Sequence, residues 1–139
     1  MSQQIAIDLS GPRPPWGDRA RCLLAIAGAR AMLRLLPMPR VGEVLHRMQR
    51  RMRPATEEEA EAAVRLVRRV SMRAAAGRDT AISALTASLV CLTRLRSAPW
   101  RVAMRTPPLE THAWIEAGGR PVGERIDVAS AYPIIIGSS

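Results

Sequence analysis

At Pro99 the sequence changes period. Upstream, apolar residues recur every three to four positions, in segments separated by "PMP" (37–39), "AAGRDT" (75–80) and "RSAPW" (96–100). Downstream, they alternate. The first pattern lays an apolar stripe along a helix and the second puts one apolar face on a strand. A chain with helical spacing first and strand spacing last folds into segregated helices and sheet, so the fold class is α+β.

The helical part divides at its prolines and glycines. From Arg19 to about Leu36, the residues Leu23, Ile26, Ala27, Arg30, Leu33 and Arg34 share one face. Before it, "QQIAIDLS" reads as a short extended segment, followed by a Pro-rich connector with Trp16. A second helix, about 41–53, presents Val41, Val44, Leu45 and Met48, with Arg40, Arg47, Arg50, Arg51 and Arg53 around it and His46 as a solvated surface residue. The third begins with a capping box, Thr56 and Glu59 satisfying each other's free amides. Glu57, Glu58 and Glu59 sit at its positive end and Arg65, Arg68 and Arg69 near its negative end. A fourth, from about Thr80 to Leu95, is capped by Asp79 or Thr80 and carries Ile82, Leu85, Leu89 and Leu92 toward a sheet.

The alternating part reads as strands at "WRVAM" (100–104), "THAWIEA" (111–117), "RPVGERI" (120–126) and "YPIII" (132–136), with "RTPPLE" as a loop and Gly118-Gly119 as a tight turn. The sheet is small and antiparallel.

A length of 139 residues suits one domain, 1–139, with a helical part over 19–76 and a second part over 77–139. The apolar stretch "CLLAIAGARAMLRLLP" is broken by Arg30 and Arg34, so no membrane span is expected. The opening residues lack the pattern of a secretory signal, and the cytoplasm is the expected compartment. Two cysteines, Cys22 and Cys91, are too few for a disulfide framework. With His46 and His112 they show no short ligand spacing, so no metal is expected. The net charge of +9 is carried entirely by arginine. Such a surface attracts nucleic acid or acidic partners, but three Trp, one Tyr and no Phe leave little for base stacking. A basic helical nucleic-acid binder would also leave the hairpin and its histidine unexplained.

That histidine, His112, opens the run "HAWIEA". A histidine base needs a partner on its second ring nitrogen to fix tautomer and orientation, and the return strand offers two acids. With a two-residue turn at Gly118-Gly119, His112 lies opposite Arg125, and Asp127 shares its face. One bulge would bring Glu124 there instead. Both acids stay open. Trp114 alternates to the same side as His112, as a shield or as plain core. Arg101 and Arg105 are candidates for meeting carboxylates of a bound peptide.

"RTPPLETHAWIEAGGRPVGE", preceded by "APWRVAM" and "RRMRPATEEEAEAAVRLVRRVSMRAAAG", resembles the leader peptidases of lasso-peptide biosynthesis. These are transglutaminase-like, papain-type cysteine proteases that remove the leader from a ribosomal precursor peptide. The resemblance covers most of the chain and is strongest in the His-Ala-Trp-Ile-Glu strand and its glycine turn. It implies a transglutaminase-like helix and sheet over 77–139, a Cys-His-acid triad and hydrolysis without metal or organic cofactor. His112 takes the histidine's place and Glu124 best fits the acid, with Asp127 in reserve.

The implied cysteine is absent. It should open the helix after "GR", at Thr80 or Ala81. Cys91 lies eleven residues beyond Thr80, about 16 Å along the same helix, and reads as a small buried hydrophobe. Three explanations stand, in order: an engineered cysteine-to-alanine replacement at Ala81, a natural form that has lost peptidase activity, or a hydroxyl nucleophile, Thr80 or Ser83. Amides at the helix start would form part of an oxyanion hole. The resemblance also implies partners: the leader of a precursor peptide, a separate leader-recognition protein docked on the basic N-terminal helices, and a ring-closing cyclase. The rival is a non-catalytic transglutaminase-like module that holds a peptide without cutting it.

Overall fold

The computed structural model describes residues 15–71, 80–105, 110–123 and 134–136. In chain order its elements are α1 (Trp16–Leu35), α2 (Met38–Gln49), β1 (Arg53–Pro54), α3 (Glu57–Val70), α4 (Thr80–Thr93), β2 (Arg96–Ser97), β3 (Trp100–Arg105), β4 (Glu110–Ala117), β5 (Arg120–Pro121) and β6 (Ile134–Ile136). Helices come first and an antiparallel sheet follows, the α+β arrangement that the change of period predicts. The expected extended segment in "QQIAIDLS" lies outside the described residues.

The fourth helix is the centre of the molecule. Every residue of α4 from Ala84 to Cys91 is buried, because α1 and α3 pack on it from one side and β3 and β4 from the other. Expectation gave it one apolar stripe against a sheet. A helix enclosed on several sides is apolar all round, and its hydroxyls bond inward: Thr86 Oγ1 donates to Ile82 O at 2.6 Å and Ser88 Oγ to Ala98 O at 2.6 Å. Gln49 Nε2 joins this interior network, donating to Ser88 Oγ at 2.9 Å and to Ala98 O at 3.1 Å. It ties the end of α2 to the turn before β3.

Helix α1 differs from expectation at its start and in its buried face. It begins at Trp16, three residues early, since Pro15 ahead of the first turn lacks the amide that a helix start leaves unbonded. Asp18 in that first turn accepts from Arg94 Nη2 at 3.0 Å. The buried residues are Cys22, Ala25 and Ala29, whereas Leu23 and Leu24 are exposed. Small side chains let α1 approach closely: a Cβ on Gly28 would meet Leu89 Cδ1 at 3.7 Å. Leucines at this seam would push the helices apart. Helix α2 runs over Met38–Gln49, where about 41–53 is expected, because Pro39 in the first turn lacks an amide that would be unbonded there. Val41 and Leu45 are buried and His46 is exposed, as the sequence predicts, but Met48 is exposed.

The capping box of α3 is present in full. Glu59 N donates to Thr56 Oγ1 at 3.1 Å and Thr56 N to Glu59 Oε1 at 3.0 Å. Arg96 reaches the same carboxylate, Nε to Oε2 at 3.0 Å. It is carried there by β2, which pairs with β1 in parallel, Arg53 with Arg96. Nothing in the local sequence announces so short a pair.

The main sheet has the order β5-β4-β3-β6 and is antiparallel throughout. Its core face carries Val102, Ala113, Ile115 and Ala117, which join Leu85 and Val90 of α4 in one cluster. Burying each larger aliphatic side chain there contributes about 1.5–3 kcal/mol. Gly118 and Gly119, at φ 60° and 76°, make the expected two-residue turn and set Ala117 opposite Arg120.

The return strand β5 stops at Pro121, short of the expected 120–126, of which 124–126 lie outside the described residues. Val122 N still donates to Ile115 O at 2.9 Å, but Gly123 then takes φ +73°, and the strand ends. Arg68 Nη2 donates to Gly123 O at 2.9 Å and holds that bend on α3. Of the last expected strand, 132–136, the described residues 134–136 form β6, which joins the sheet beside β3.

Candidate functional site

Because β5 is short, the outer edge of β4 near His112 has no strand partner among the described residues. The N–H groups of Ala113, Ile115 and Ala117 point to that edge, since alternate residues of β4 bond to β3. Beyond the reach of β5, the start of α4 fills the position. Ala113 N donates to Thr80 Oγ1 at 3.2 Å. The first residue of α4 is thereby fastened to the residue that follows His112. Ala81, by contrast, packs against the apolar core, so Thr80 is the one of the two that the helix tip presents to the strand. Ser83 is half-buried.

Alternation places His112, Trp114 and Glu116 together on the sheet face turned away from α4. His112 is half-buried and its Nε2 atom is shielded from solvent. Its ring lies 6.0 Å from that of Trp114, centroid to centroid, with 28° between their planes. Trp114 is 2% exposed and clusters with Ala103, so it both shields the imidazole and forms a small core of its own. Its indole Nε1 donates to Glu116 Oε2 at 3.1 Å. The other oxygen, Oε1, accepts from Arg101 Nε at 3.1 Å. Arg101 therefore meets a carboxylate of this chain, where expectation offered it to a bound peptide. The side chain of Arg105 lies outside the described residues, as do both candidate acids, Glu124 and Asp127.

Glu116 has no part in the sequence-based assignment. The signal for it is period two: a residue two places after Trp114 and four after His112 shares their face.

Neither cysteine belongs to this site. Cys22 and Cys91 are free and buried in the core, and burial pushes both thiols up to about 11. At neutral pH they are protonated and make poor nucleophiles. Among the described residues, no group of three or more His, Cys, Asp or Glu side chains is placed to hold a metal ion. Among them also, no helix is long and apolar enough to cross a membrane.

What the arrangement offers chemically is a hydroxyl at the positive end of a fourteen-residue helix, beside a strand carrying an imidazole held by an aromatic ring. Unbonded amides of the first helical turn are suited to a developing negative charge. Comparison with known families agrees with this architecture: the model of the transglutaminase-like superfamily matches residues 22–136. No curated protein and no solved structure matches the chain.

Proposed function

The chain belongs to the transglutaminase-like superfamily, and from that premise we propose that it acts on the leader of a ribosomally made lasso precursor peptide, as a leader peptidase. The superfamily includes cysteine-protease-like members. The observation that carries the reading is the hydrogen bond from Ala113 N to Thr80 Oγ1. It fastens the helix tip to the strand that carries His112, so the hydroxyl stands at the edge of β4 one residue from the imidazole. Acyl transfer needs such a nucleophile and base to meet. At the tip Thr80 offers a hydroxyl at one of the two positions, 80 and 81, where the resemblance puts a thiol.

In this reading a scissile carbonyl lies over the α4 tip. Thr80 Oγ forms a bond to the carbonyl carbon as its proton passes to His112, whose imidazole has to reach round the outer edge of β4 from the face turned away from α4. The imidazole returns that proton to the departing amine as the C–N bond breaks. Water then hydrolyses the ester with His112 again as base, freeing the acid and restoring Thr80. Glu124, or Asp127 in reserve, orients the imidazole. A separate recognition protein brings the leader and a cyclase takes the core peptide.

A second reading has its own support. Both thiols are buried and protonated, and a threonine hydroxyl is a weak nucleophile unless a base activates it closely. The site would then hold a leader without cutting it. Incubating a lasso precursor with the chain and with Thr80→Ala and Thr80→Cys separates the two. Cleavage by the chain that Thr80→Ala abolishes supports the hydroxyl peptidase. Cleavage by Thr80→Cys alone supports the holding form. If none of the three proteins binds or cuts the precursor, both readings fail.

A further inference from the structure

We propose that Glu116 is a positioning residue for His112 and acts through Trp114. The carboxylate is anchored at one oxygen and takes the indole N–H at the other, which fixes the plane on which the imidazole rests. This deepens the reading of His112 as the base and rests on it for its functional meaning.

Among the described residues, the buried apolar cluster on this face consists of Trp114 and Ala103, and Ala103 lies directly opposite His112 in the β3–β4 register. A methyl group is too small to brace an imidazole from that side. The lateral contact comes instead from Trp114, ring to ring at 6.0 Å. An indole has two side-chain torsions, and Glu116 fixes them through the ring N–H. Its Oε2 takes the indole N–H at 3.1 Å, and Arg101, opposite Trp114 on β3, holds Oε1 at 3.1 Å. Arg101 and Glu116 side chains are only 25% and 18% exposed. Water therefore screens their attraction less than it would at an open surface.

Trp100 offers a contrast within the same sheet. Its indole Nε1 is buried and has no hydrogen-bond partner among the described residues. It sits in the main core, where α4 and the sheet enclose it. The equally buried Trp114 indole, beside His112, has a carboxylate partner.

The test reads the ring itself, by nuclear magnetic resonance of the full chain without substrate, so it stands apart from whether any precursor is cut. In Glu116→Ala the Trp114 indole N–H should exchange about tenfold faster or more, the factor that goes with losing one charge-assisted hydrogen bond. The His112 ring protons should lose the displacement caused by the neighbouring indole and move toward those of the exposed His46. Glu116→Gln keeps an oxygen for the indole and should hold the His112 signals near their original positions. In a Trp114→Phe background, Glu116→Ala should change the His112 signals no further, since the effect passes through the indole. The proposal is overturned if Glu116→Ala leaves the indole exchange and the His112 signals unmoved, or moves His112 equally in the Trp114→Phe background. If Glu116→Ala does not fold, Arg101→Gln decides. It leaves carboxylate and indole in place but releases the anchor, and unmoved His112 signals there also overturn the proposal.

Discussion

Replacing Gly123 by alanine tests whether the bend after β5 is built for a residue without a side chain. Two costs add. At φ +73° an L-residue loses about 1–2 kcal/mol against its own carbonyl. An added Cβ would also stand 2.9 Å from Val64 Cγ1 and 3.3 Å from Arg68 Nη2. Val64 is on α3 and packs against the core, so it has little room to yield. Such overpacking costs about 1–3 kcal/mol. The sum is about 2–5 kcal/mol, a large part of the 5–15 kcal/mol typical of a domain.

Gly119→Ala is the control. Its φ is +76°, but nothing lies within 4 Å of the added methyl, so only the conformational cost of about 1–2 kcal/mol applies. Urea unfolding followed by tryptophan fluorescence gives both values. The contact with Val64 is then isolated by a double-mutant cycle with Val64→Ala, which deletes the clashing carbon. The double variant should cost less than the two single changes summed. Gly123→Ala no worse than Gly119→Ala, or strict additivity with Val64→Ala, would refute the steric account of why β5 stops where it does.

Further outcomes are expected at the thiols, at Glu59 and at Leu95. With both buried thiols at about 11, the folded chain should resist iodoacetamide at mildly alkaline pH. Thr80→Cys should add one fast-reacting thiol, because a helix start favours the thiolate. The same raised values mean that stability is whole below the unfolded thiol value of about 8.5 and falls as pH climbs from there toward 11, a slope that Cys22→Ala with Cys91→Ala should flatten in urea titrations. Glu59 is held below the usual carboxylate range by the Thr56 amide first, and by Arg96. Its contribution is therefore present above about pH 4.3 and lost as pH falls through the folded value, so the gap in urea midpoint between the chain and Glu59→Gln should close in acid. Leu95 has φ 59° while 64% exposed, at the end of α4. Its side chain gains little burial to offset the left-handed backbone, so Leu95→Gly should raise thermal stability by about 1 kcal/mol.

The candidate site was legible where its parts are local and obscure where they are not. "HAWIEAGG" shows its strand, its turn and the shared face of His112 and Trp114, because alternation and paired glycines act over a few residues. The place implied for the missing thiol at the tip of α4 is one of two positions, Thr80 or Ala81. The choice of Thr80 over Ala81 as the residue facing β4 needed the angle at which the helix meets the strand. The partner of Arg101 was misread because a diagonal contact across two strands depends on register, and register is a property of the pair.

What the sequence determined by itself is the order of the four helices ahead of the main sheet, the Thr56–Glu59 cap and the Gly118–Gly119 turn. Each follows from hydrogen bonds and torsions among neighbouring residues, which are the same in any surroundings. What only the tertiary structure decided is which face of α1 is buried, how far β5 runs and which atom of β4 the helix tip meets. These depend on how closely whole elements approach. The approach is set by the smallest groups at each seam: Cys22, Ala25 and Ala29 against α4, and Gly123 against Val64. A hydrophobicity pattern ranks large side chains above small ones, so it points away from the residues that govern the packing.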